Sequence, residues 1–438
     1  MPRRRRWREL YVAMNGHEVG RLLRAANGAL SFQYSPAWLD AGSATPVSLA
    51  LPLSPDPYSG EAVSNFFDNL LPDNEEIRRR MQASLGTDST QPFDLLAGAG
   101  ADCVGALQLF DSLRMPDVHQ VKATPVSDAD IARILRDYRR RPLGMAPQED
   151  DFRISMAGAQ EKTAFLWHGN AWHRPHATTP TTHVFKLPIG MIEAHGIDLR
   201  DSIENEWLCL RIGSAFGLPV PNAEIQWFED VKVLVVERFD RQWSDDGRWL
   251  IRLPQEDVCQ SLGIPAGRKY EADGGPGIPA IMDLLLQSVR SHEDRCTFFK
   301  ASIVYWFLAA IDGHAKNFSL FLHPGGRCSL TPLYDIMSAY PLAATRQLDT
   351  ARFRMAMAVI GKNRHYRWQE IQRRHWMSTA KKCRFPREEA RALIDGCAER
   401  IESIVDEVRQ ALPEGFPETV AKPIFEGLLA ARERVRAA

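Results

Sequence analysis

The sequence predicts an α+β fold with a β-rich N-terminal portion and an all-helical C-terminal portion, divided near residue 255. Before that point, short apolar runs alternate with asparagine, glycine and proline turns, a pattern typical of β-hairpins. After it, longer segments repeat apolar residues at helical spacing and present a polar opposite face. At 438 residues the chain is long enough for two or three domains. We therefore expect three parts, at residues 1–145, 146–254 and 255–438.

The first part is predicted to be a small α+β module that begins with a β-hairpin. Leu10–Met14 and His17–Leu22 would form the two strands, because Asn15-Gly16 supplies the positive φ angles of a type I′ turn. Leu30–Tyr34 alternates like a further strand. Ser64–Met81 then combines an apolar patch, a Pro-Asp turn and a charged helix.

The second part begins after a connector and contains a candidate phosphate-binding turn. A helix is predicted at Asp128–Arg141, and the proline, glycine and acidic residues of Arg141–Asp151 indicate a boundary. The pattern of Phe152–Trp167 predicts a strand, a small-residue turn and a second strand. This turn is not a Walker A loop, because Glu161 precedes Lys162 where that motif has glycine. Its backbone N–H groups can still cradle phosphates.

A histidine-rich segment follows that turn. Its histidines have irregular spacing, and no cysteine or acidic residue lies among them, so the pattern favours a solvated loop over a metal site. The segment spans residues 168–183 and contains His168, His173, His176 and His183.

Lys186 is predicted to lie on a β-strand, Thr182–Gly190, that a proline closes. This is the setting of the kinase lysine that binds the α- and β-phosphates. The helix predicted at Asp201–Phe216 carries Glu204 and Glu206, either of which could pair with Lys186, and we favour Glu206. A lone strand lysine is more often a solvated edge residue, so this role depends on the whole set of residues. The next predicted strand, Val231–Asp240, ends in a segment whose backbone would meet an adenine edge: Glu237, Arg238 and Phe239.

The stretch Ile311–Tyr340 carries a pattern typical of phosphoryl transfer. Asp312 and Asn317 have the spacing of the kinase catalytic loop, in which the Asp accepts the substrate hydroxyl proton and the Asn holds Mg²⁺. Asp335 follows an apolar run and a Pro-Gly-Gly turn, so a hairpin would return it to Asn317. An ordinary Asp-Gly turn is the alternative. The apolar helix predicted at Phe298–Ile311, which would deliver Asp312 at its end, favours the catalytic interpretation.

Composition limits the possible partners and compartments. With 54 basic and 55 acidic residues, the net charge of −1 argues against a protein that coats nucleic acid by bulk charge. The seven cysteines form no CxxC, so neither a disulfide framework nor a zinc site is indicated, and a reducing cytoplasm fits best. Phe298–Ile311 is the most apolar run but is too short to span a bilayer, so we expect no membrane segment.

Seven motifs, taken together and in this order, resemble the HipA family of toxin kinases over nearly the full chain. They are SMAGAQEKTAFL, HVFKLPIG, VERFDR, LPQEDVCQSLG, DGGPGI, DGHAKNFS and LYDIMSAYP. The resemblance implies a bilobal protein-kinase-like fold, with a nucleotide-binding subdomain at residues 146–254, a catalytic domain at residues 255–438, and ATP and Mg²⁺ as cofactors. It also implies aminoacyl-tRNA synthetase substrates, above all glutamyl-tRNA synthetase, with inhibited translation and persistence as the outcome. A helix-turn-helix antitoxin, HipB, would bind the kinase, carry it to operator DNA and repress the operon with it.

The resemblance also implies roles for individual residues. Asp312 would be the catalytic base, Asn317 and Asp335 the Mg²⁺ ligands, and Lys186 the phosphate-binding lysine. Ser155 matches the family's autophosphorylated serine, whose modification ejects the phosphate loop and inactivates the kinase. The further expected nucleotide contacts are Ala157, Gly158, Ala159, Gln160, Glu161, Lys162, Glu237, Arg238, Phe239, His314, Ala315, Lys316 and Tyr334.

A local basic patch, Lys362–Arg391, contains ten lysines and arginines against three acidic residues. Such a patch is usually a solvated helix face. The resemblance implies that Lys381 and Arg384 within it contact operator phosphates beside the antitoxin.

Two other functions remain open from the sequence. One is a small-molecule kinase that resembles aminoglycoside phosphotransferases, and the other is a catalytically idle DNA-binding corepressor. The intact Asp312, Asn317, Asp335 and Lys186 argue against the idle protein, because buried charged and polar groups are costly without metal and phosphate. Arg3–Arg6 and Ala343–Asn363 depart from the family pattern, and the second segment follows Asp335 closely enough to affect substrate docking. The sequence therefore leaves the particular synthetase open.

Overall fold

The structure is a computed structural model that describes residues 8–112, 117–140, 162–192 and 196–436. Its contacts divide the chain into two compact units. Unit 1 comprises Met1–Leu187, Gln226–Gly267 and Leu320–Cys328. Unit 2 comprises Pro188–Ile225, Arg268–Ser319 and Ser329–Ala438.

Up to Ile192, the elements are short strands with helices between them. In chain order they are β1 (Glu9–Met14), β2 (His17–Arg24), β3 (Leu30–Tyr34), α1 (Pro36–Leu39), β4 (Tyr58–Ser59), α2 (Glu61–Asp68), α3 (Glu75–Leu85), α4 (Pro92–Ala99), β5 (Leu107–Phe110), β6 (Ala123–Pro125), α5 (Asp128–Arg140), β7 (Lys162–His168), β8 (Ala171–Pro175), β9 (His183–Lys186) and β10 (Gly190–Ile192).

The remaining elements include the long helices. In chain order they are β11 (Ile197–Leu199), α6 (Ser202–Ala215), β12 (Ala223–Phe228), β13 (Val231–Glu237), β14 (Arg241–Trp243), β15 (Leu250–Arg252), β16 (Gln255–Asp257), α7 (Val258–Ser261), α8 (Ile278–Leu284), α9 (Ser291–Phe307), β17 (Ser319–His323), β18 (Arg327–Leu330), α10 (Tyr340–Ala344), β19 (Arg354–Ile360), β20 (Arg364–Arg367), α11 (Arg373–Lys382), α12 (Arg387–Gln410) and α13 (Glu418–Arg436).

The N-terminal sheet of unit 1 confirms the predicted hairpin. Its strands have the order β4-β3-β2-β1-β5. Asn15 and Gly16 have φ angles of 47° and 84°, and Met14 pairs with His17 across the turn. Phe32, Phe66 and Phe67 are fully buried against this sheet. The strand predicted at Leu30–Tyr34 is β3, with the same bounds.

The second sheet of unit 1 has the order β12-β13-β9-β7-β8-β6. Phe165, Phe185 and Val235 lie on one face and pack with Ile131 and Leu135 of α5. Because side chains alternate across a strand, Lys186 and the residues paired with it point to the opposite face. This opposite face is where unit 1 presents its candidate phosphate-binding lysines.

The prediction of a solvated loop at residues 168–183 is wrong in part. Ala171–Pro175 forms β8, which pairs with β7. The ring centroid of Trp172 lies 4.7 Å from that of Trp167 and 4.9 Å from that of Phe185. These cross-strand aromatic contacts stabilise a strand that the polar composition concealed.

The C-terminal portion is mainly helical, but it also contains strands. β19 and β20 form an antiparallel hairpin within the region that the sequence predicts to be all-helical. The run Met355–Val359 is buried along its whole length, which favours a strand that is covered on both faces. No helix in the described ranges is long and apolar enough to cross a bilayer.

Candidate active site

The predicted catalytic loop begins where α9 ends, at Phe307, four residues earlier than predicted. Ala309 adopts a left-handed conformation with φ 47°. Its N–H donates to Trp306 O at 3.2 Å, and the Ala310 N–H donates to Tyr305 O at 2.8 Å. This pair of bonds is a Schellman motif, which ends a helix and turns the chain away from its axis. Asp312 is therefore presented by a turn rather than by the last residue of the helix.

Asp312 is exposed and is oriented by a tyrosine. The hydroxyl of Tyr270 donates to Asp312 Oδ1 at 2.6 Å. The following Gly313 allows a close approach, because a Cβ there would lie 2.6 Å from the Tyr305 ring. Glycine at position 313 is therefore required by packing against Tyr305, in addition to suiting a turn. Tyr270 was not singled out by the sequence analysis, because it lies far from Asp312 along the chain.

His314 and Asn317 are buried residues of the loop. The His314 N–H donates to Asn317 Oδ1 at 3.1 Å and to the Asp312 carbonyl oxygen at 2.8 Å. Burial lowers the pKa of His314, and the carboxylates of Asp312 and Asp335 oppose that shift. Its Nδ1 is buried and has no hydrogen-bond partner among the described residues. A buried nitrogen left in this state is a group that a bound ligand could satisfy.

The predicted hairpin is confirmed and returns the chain to the catalytic loop. β17 and β18 are paired, and the Thr331 N–H donates to Ser319 O at 3.0 Å. The Tyr334 hydroxyl donates to Lys316 O at 2.9 Å, so the Ser319 hydroxyl, 2.6 Å away, donates to it. Tyr334, which precedes Asp335, is thereby fixed against Lys316, which precedes Asn317.

Asp335 itself is held in a sparsely populated backbone conformation. Its φ angle is 59°, in the left-handed region. Beyond it, Asn205 of α6 binds both the N–H and the carbonyl oxygen of Ser338, each at 2.8 Å. Such strain persists only where surrounding contacts impose it, and it is common at functional sites.

These side chains fit a magnesium ion. Mg²⁺ prefers oxygen ligands and is usually bound by one or two carboxylates together with substrate phosphates. Asp335 supplies a carboxylate, and Asn317 Oδ1 retains a second lone pair beside its bond from His314. Asn317 and Asp335 are therefore the residues that would hold the metal.

In unit 1, two lysines stand opposite each other on neighbouring strands. Lys162 of β7 pairs with Lys186 of β9, so both side chains lie on the same face of the sheet. Lys186 is buried, with 6% of its surface exposed. Two adjacent ammonium groups are well suited to a polyphosphate. In unit 2, Glu204 and Glu206 are both buried on α6, and their pairing with Lys186 stays a prediction.

The segment predicted to meet adenine has mixed surroundings. The Arg238 guanidinium is buried and binds Asp240 at 2.9 and 2.7 Å and Thr181 at 3.0 Å. Its backbone N–H donates to Thr182 O. The Arg238 side chain thus belongs to the core of unit 1, while Glu237 is exposed and Phe239 contacts Phe321. Any adenine contact would involve backbone atoms other than the Arg238 N–H.

Several predicted residues lie outside the described part of the chain. They are Ser155, Ala157, Gly158, Ala159, Gln160 and Glu161, together with the connector Arg141–Asp151.

The basic patch is largely exposed. Of its ten basic residues, all except Arg373 are exposed. Arg384 pairs with Asp283 at 2.8 Å, whereas Lys381 has no ion-pair partner among the described residues. Lys362, Arg364 and Lys382 also line a cavity of about 460 Å³ beside Glu271, which sequence reasoning missed.

Comparisons with known proteins identify the family and the fold of the chain. Residues 154–405 match the family described as the HipA-like C-terminal domain, and residues 10–110 match the HipA N-terminal domain. The chain is 36% identical over 342 residues to the putative kinase Y4mE of Sinorhizobium fredii, covering 76% of this chain and 78% of that protein. It is 27% identical over 325 residues to the serine/threonine-protein kinase toxin HipA of Shewanella oneidensis, covering 72% and 71%. The structure is similar to HipA of S. oneidensis solved with HipB and operator DNA, with TM-score 0.80 and 23% identity over 98% of this chain and 97% of that one, which confirms the predicted fold.

Proposed function

The chain belongs to the HipA family of serine/threonine kinases, and from this premise we propose that it transfers the γ-phosphate of Mg–ATP to a serine of an aminoacyl-tRNA synthetase. The observation that carries the proposal is the loop in which Tyr270 orients an exposed Asp312, five residues before the buried Asn317. Phosphoryl transfer depends mainly on such positioning and on charge stabilisation.

Each residue has a distinct task in this proposal. The Asp312 carboxylate accepts the proton of the substrate hydroxyl, and Tyr270 keeps that carboxylate directed toward solvent. Asn317 and Asp335 would hold the metal, and Lys162 and Lys186 would bind phosphate oxygens. Bound Mg–ATP would supply the phosphoryl group and a positive charge that offsets the charge of the phosphates.

The synthetase substrate is inferred from the family resemblance, with glutamyl-tRNA synthetase as the first candidate. Phosphorylation of a synthetase would inhibit translation and promote dormancy. Mass spectrometry of proteins from a cell extract, after incubation with the enzyme and Mg–ATP, tests this. We expect one phosphorylated synthetase, absent from a matched incubation with Asp312→Asn. ATP consumption with small alcohols and no phosphorylated protein would instead favour the small-molecule kinase.

Autophosphorylation is proposed at Ser155. A phosphate there would add about −1.5 to −2 charges near the nucleotide phosphates and weaken nucleotide binding. Calorimetry of phosphorylated and unmodified protein with Mg–ATP checks this. Equal affinities would contradict the proposal.

A HipB-like helix-turn-helix antitoxin and operator DNA are the proposed partners. The solved complex of the Shewanella oneidensis relative contains both, and this supports the proposal. The exposed Lys381 and Arg384 are the proposed phosphate contacts in that assembly. The kinase would then act as a corepressor beside the antitoxin.

A further inference from the structure

Three metal-ligating side chains meet near the N-terminal ends of two helices in unit 2. His292 and Cys296 lie one turn apart on the same face of α9, and Glu389 lies in the first turn of α12. The Cys296 sulfur is 3.8 Å from His292 Nε2 and 3.6 Å from Glu389 Oε2. His292 Nε2 is 3.5 Å from Glu389 Oε2. Within the described ranges this is the one group of three such residues at this spacing.

The distances match one face of a tetrahedral metal site. Zinc bond lengths to sulfur, nitrogen and oxygen place neighbouring ligand atoms about 3.3–3.6 Å apart. The observed separations of 3.5–3.8 Å exceed these by only about 0.2 Å. Small rotations of three side chains would therefore close the site around one ion. An exposed His292 and a half-buried Cys296 leave a route for the ion and room for a water as fourth ligand.

The donor set selects the metal. A thiolate, an imidazole and a carboxylate favour zinc, whereas Mg²⁺ and Ca²⁺ prefer oxygen ligands alone. The thiolate and the carboxylate together neutralise the two positive charges of the ion. Without a cation, the Cys296 thiol donates a hydrogen bond to Glu389 Oε2 at 3.6 Å.

We propose that His292, Cys296 and Glu389 form a zinc site that links α9 to α12. Binding displaces the thiol proton into solvent and forms the sulfur–zinc bond, and no electrons are transferred. The imidazole binds in its neutral form through Nε2. Since α9 carries the catalytic loop at its far end, the ion would fix the base of the helix that positions Asp312.

Zinc titration of the full chain by calorimetry, with excess Mg²⁺ present, tests the site. We expect one zinc ion per chain, one proton released per ion in buffers of different ionisation enthalpy, and a higher unfolding temperature. Cobalt(II) in place of zinc should give a thiolate charge-transfer band. Cys296→Ser and, independently, Glu389→Gln should each weaken zinc binding by more than about 100-fold, because loss of a direct ligand costs more than loss of an outer partner.

Glu388→Gln is the matched control, since Glu388 is the exposed neighbour of Glu389 on the same turn. It should bind zinc like the unaltered chain. Unfolding without zinc shows whether each variant is folded. The proposal is overturned if the unaltered chain binds no zinc, or if Cys296→Ser retains the affinity and the proton release.

Discussion

Asp240 in unit 1 and Asp312 in unit 2 are carboxylates with opposite surroundings. Asp240 is buried and accepts hydrogen bonds from Arg238, Arg241, Gln255 and the Gly105 N–H. Burial alone would raise the pKa of Asp240, but the two guanidiniums lower it below its usual range. Asp312 is exposed and accepts one hydrogen bond, from Tyr270, among the described contacts. A saturated buried charge stabilises the fold, whereas an exposed and oriented charge can exchange a proton.

The largest effect is expected from Asp312→Asn. We predict a fall in kcat of about 10²- to 10⁴-fold, because the amide cannot accept the substrate proton. The unfolding temperature should not change, since Tyr270 can donate to the amide oxygen as well. Phosphorylation rates and thermal unfolding measure both effects. Substantial remaining activity would remove Asp312 from the role of base.

Asp240→Asn should have the opposite effects, lowering stability and leaving kcat unchanged. It leaves Arg238 and Arg241 buried with a weaker partner, so we predict that the free energy of unfolding falls by about 3–5 kcal/mol. The folded fraction should keep its kcat. Denaturant unfolding measures the loss. Asp246→Asn, on an exposed turn of the same unit, is the control and should change stability by less than about 0.5 kcal/mol. Equal losses of stability in Asp240→Asn and Asp246→Asn would contradict the distinction between the buried and the exposed carboxylate.

A third carboxylate, Glu256, extends the comparison because it is buried and has no cationic partner among the described residues. Glu256 is 1% exposed, accepts the Leu49 N–H at 2.8 Å, and burial raises its pKa to about 8. Its folded pKa thus lies above the unfolded value. The stability it contributes is complete below pH ~4.5 and is lost as the pH rises through about 8. We predict that Glu256→Gln, which keeps the acceptor oxygen, removes this alkaline loss. The free energy of unfolding of the unaltered chain and of Glu256→Gln, measured from pH 5 to 9, checks this prediction. Parallel pH profiles of the two proteins would refute it.

Local signals predicted much of the fold. Asn15-Gly16 determined its hairpin because only positive φ angles close that turn. The end of α9 was missed because Ala309, rather than glycine, adopts the left-handed conformation. β8 was missed because aromatic contacts across strands decide it. Tertiary packing determined both outcomes.

The candidate site likewise contains residues that local sequence predicts and residues that only tertiary packing reveals. Asp312, Asn317 and Asp335 could be proposed from the sequence because a short loop and a hairpin place them along one continuous stretch of chain. Tyr270 could not, since its bond to Asp312 joins segments 42 residues apart. His292 and Cys296 lie one helical turn apart, but Glu389 comes from a later helix, so no spacing rule reveals the three together.

The smallest effect is expected at the basic patch, where charges are exposed and each contributes little alone. In complex with the antitoxin, Lys381→Ala with Arg384→Ala should lower DNA affinity similarly across sequences, because phosphate contacts carry no sequence information. Each lost phosphate contact should reduce the salt slope by about 0.9. Arg384 already binds Asp283, so its share should be smaller than that of Lys381.

Binding measured over a range of salt concentrations, with the single variants alongside, separates these contributions. Lys422→Ala on the exposed face of α13 is the matched control and should leave the slope unchanged. Kinase activity should be unaffected by all of these substitutions, because none of them alters the catalytic loop. If the double variant keeps the operator affinity and its salt dependence, the DNA contact belongs to the antitoxin alone, and the patch is a solvated helix face.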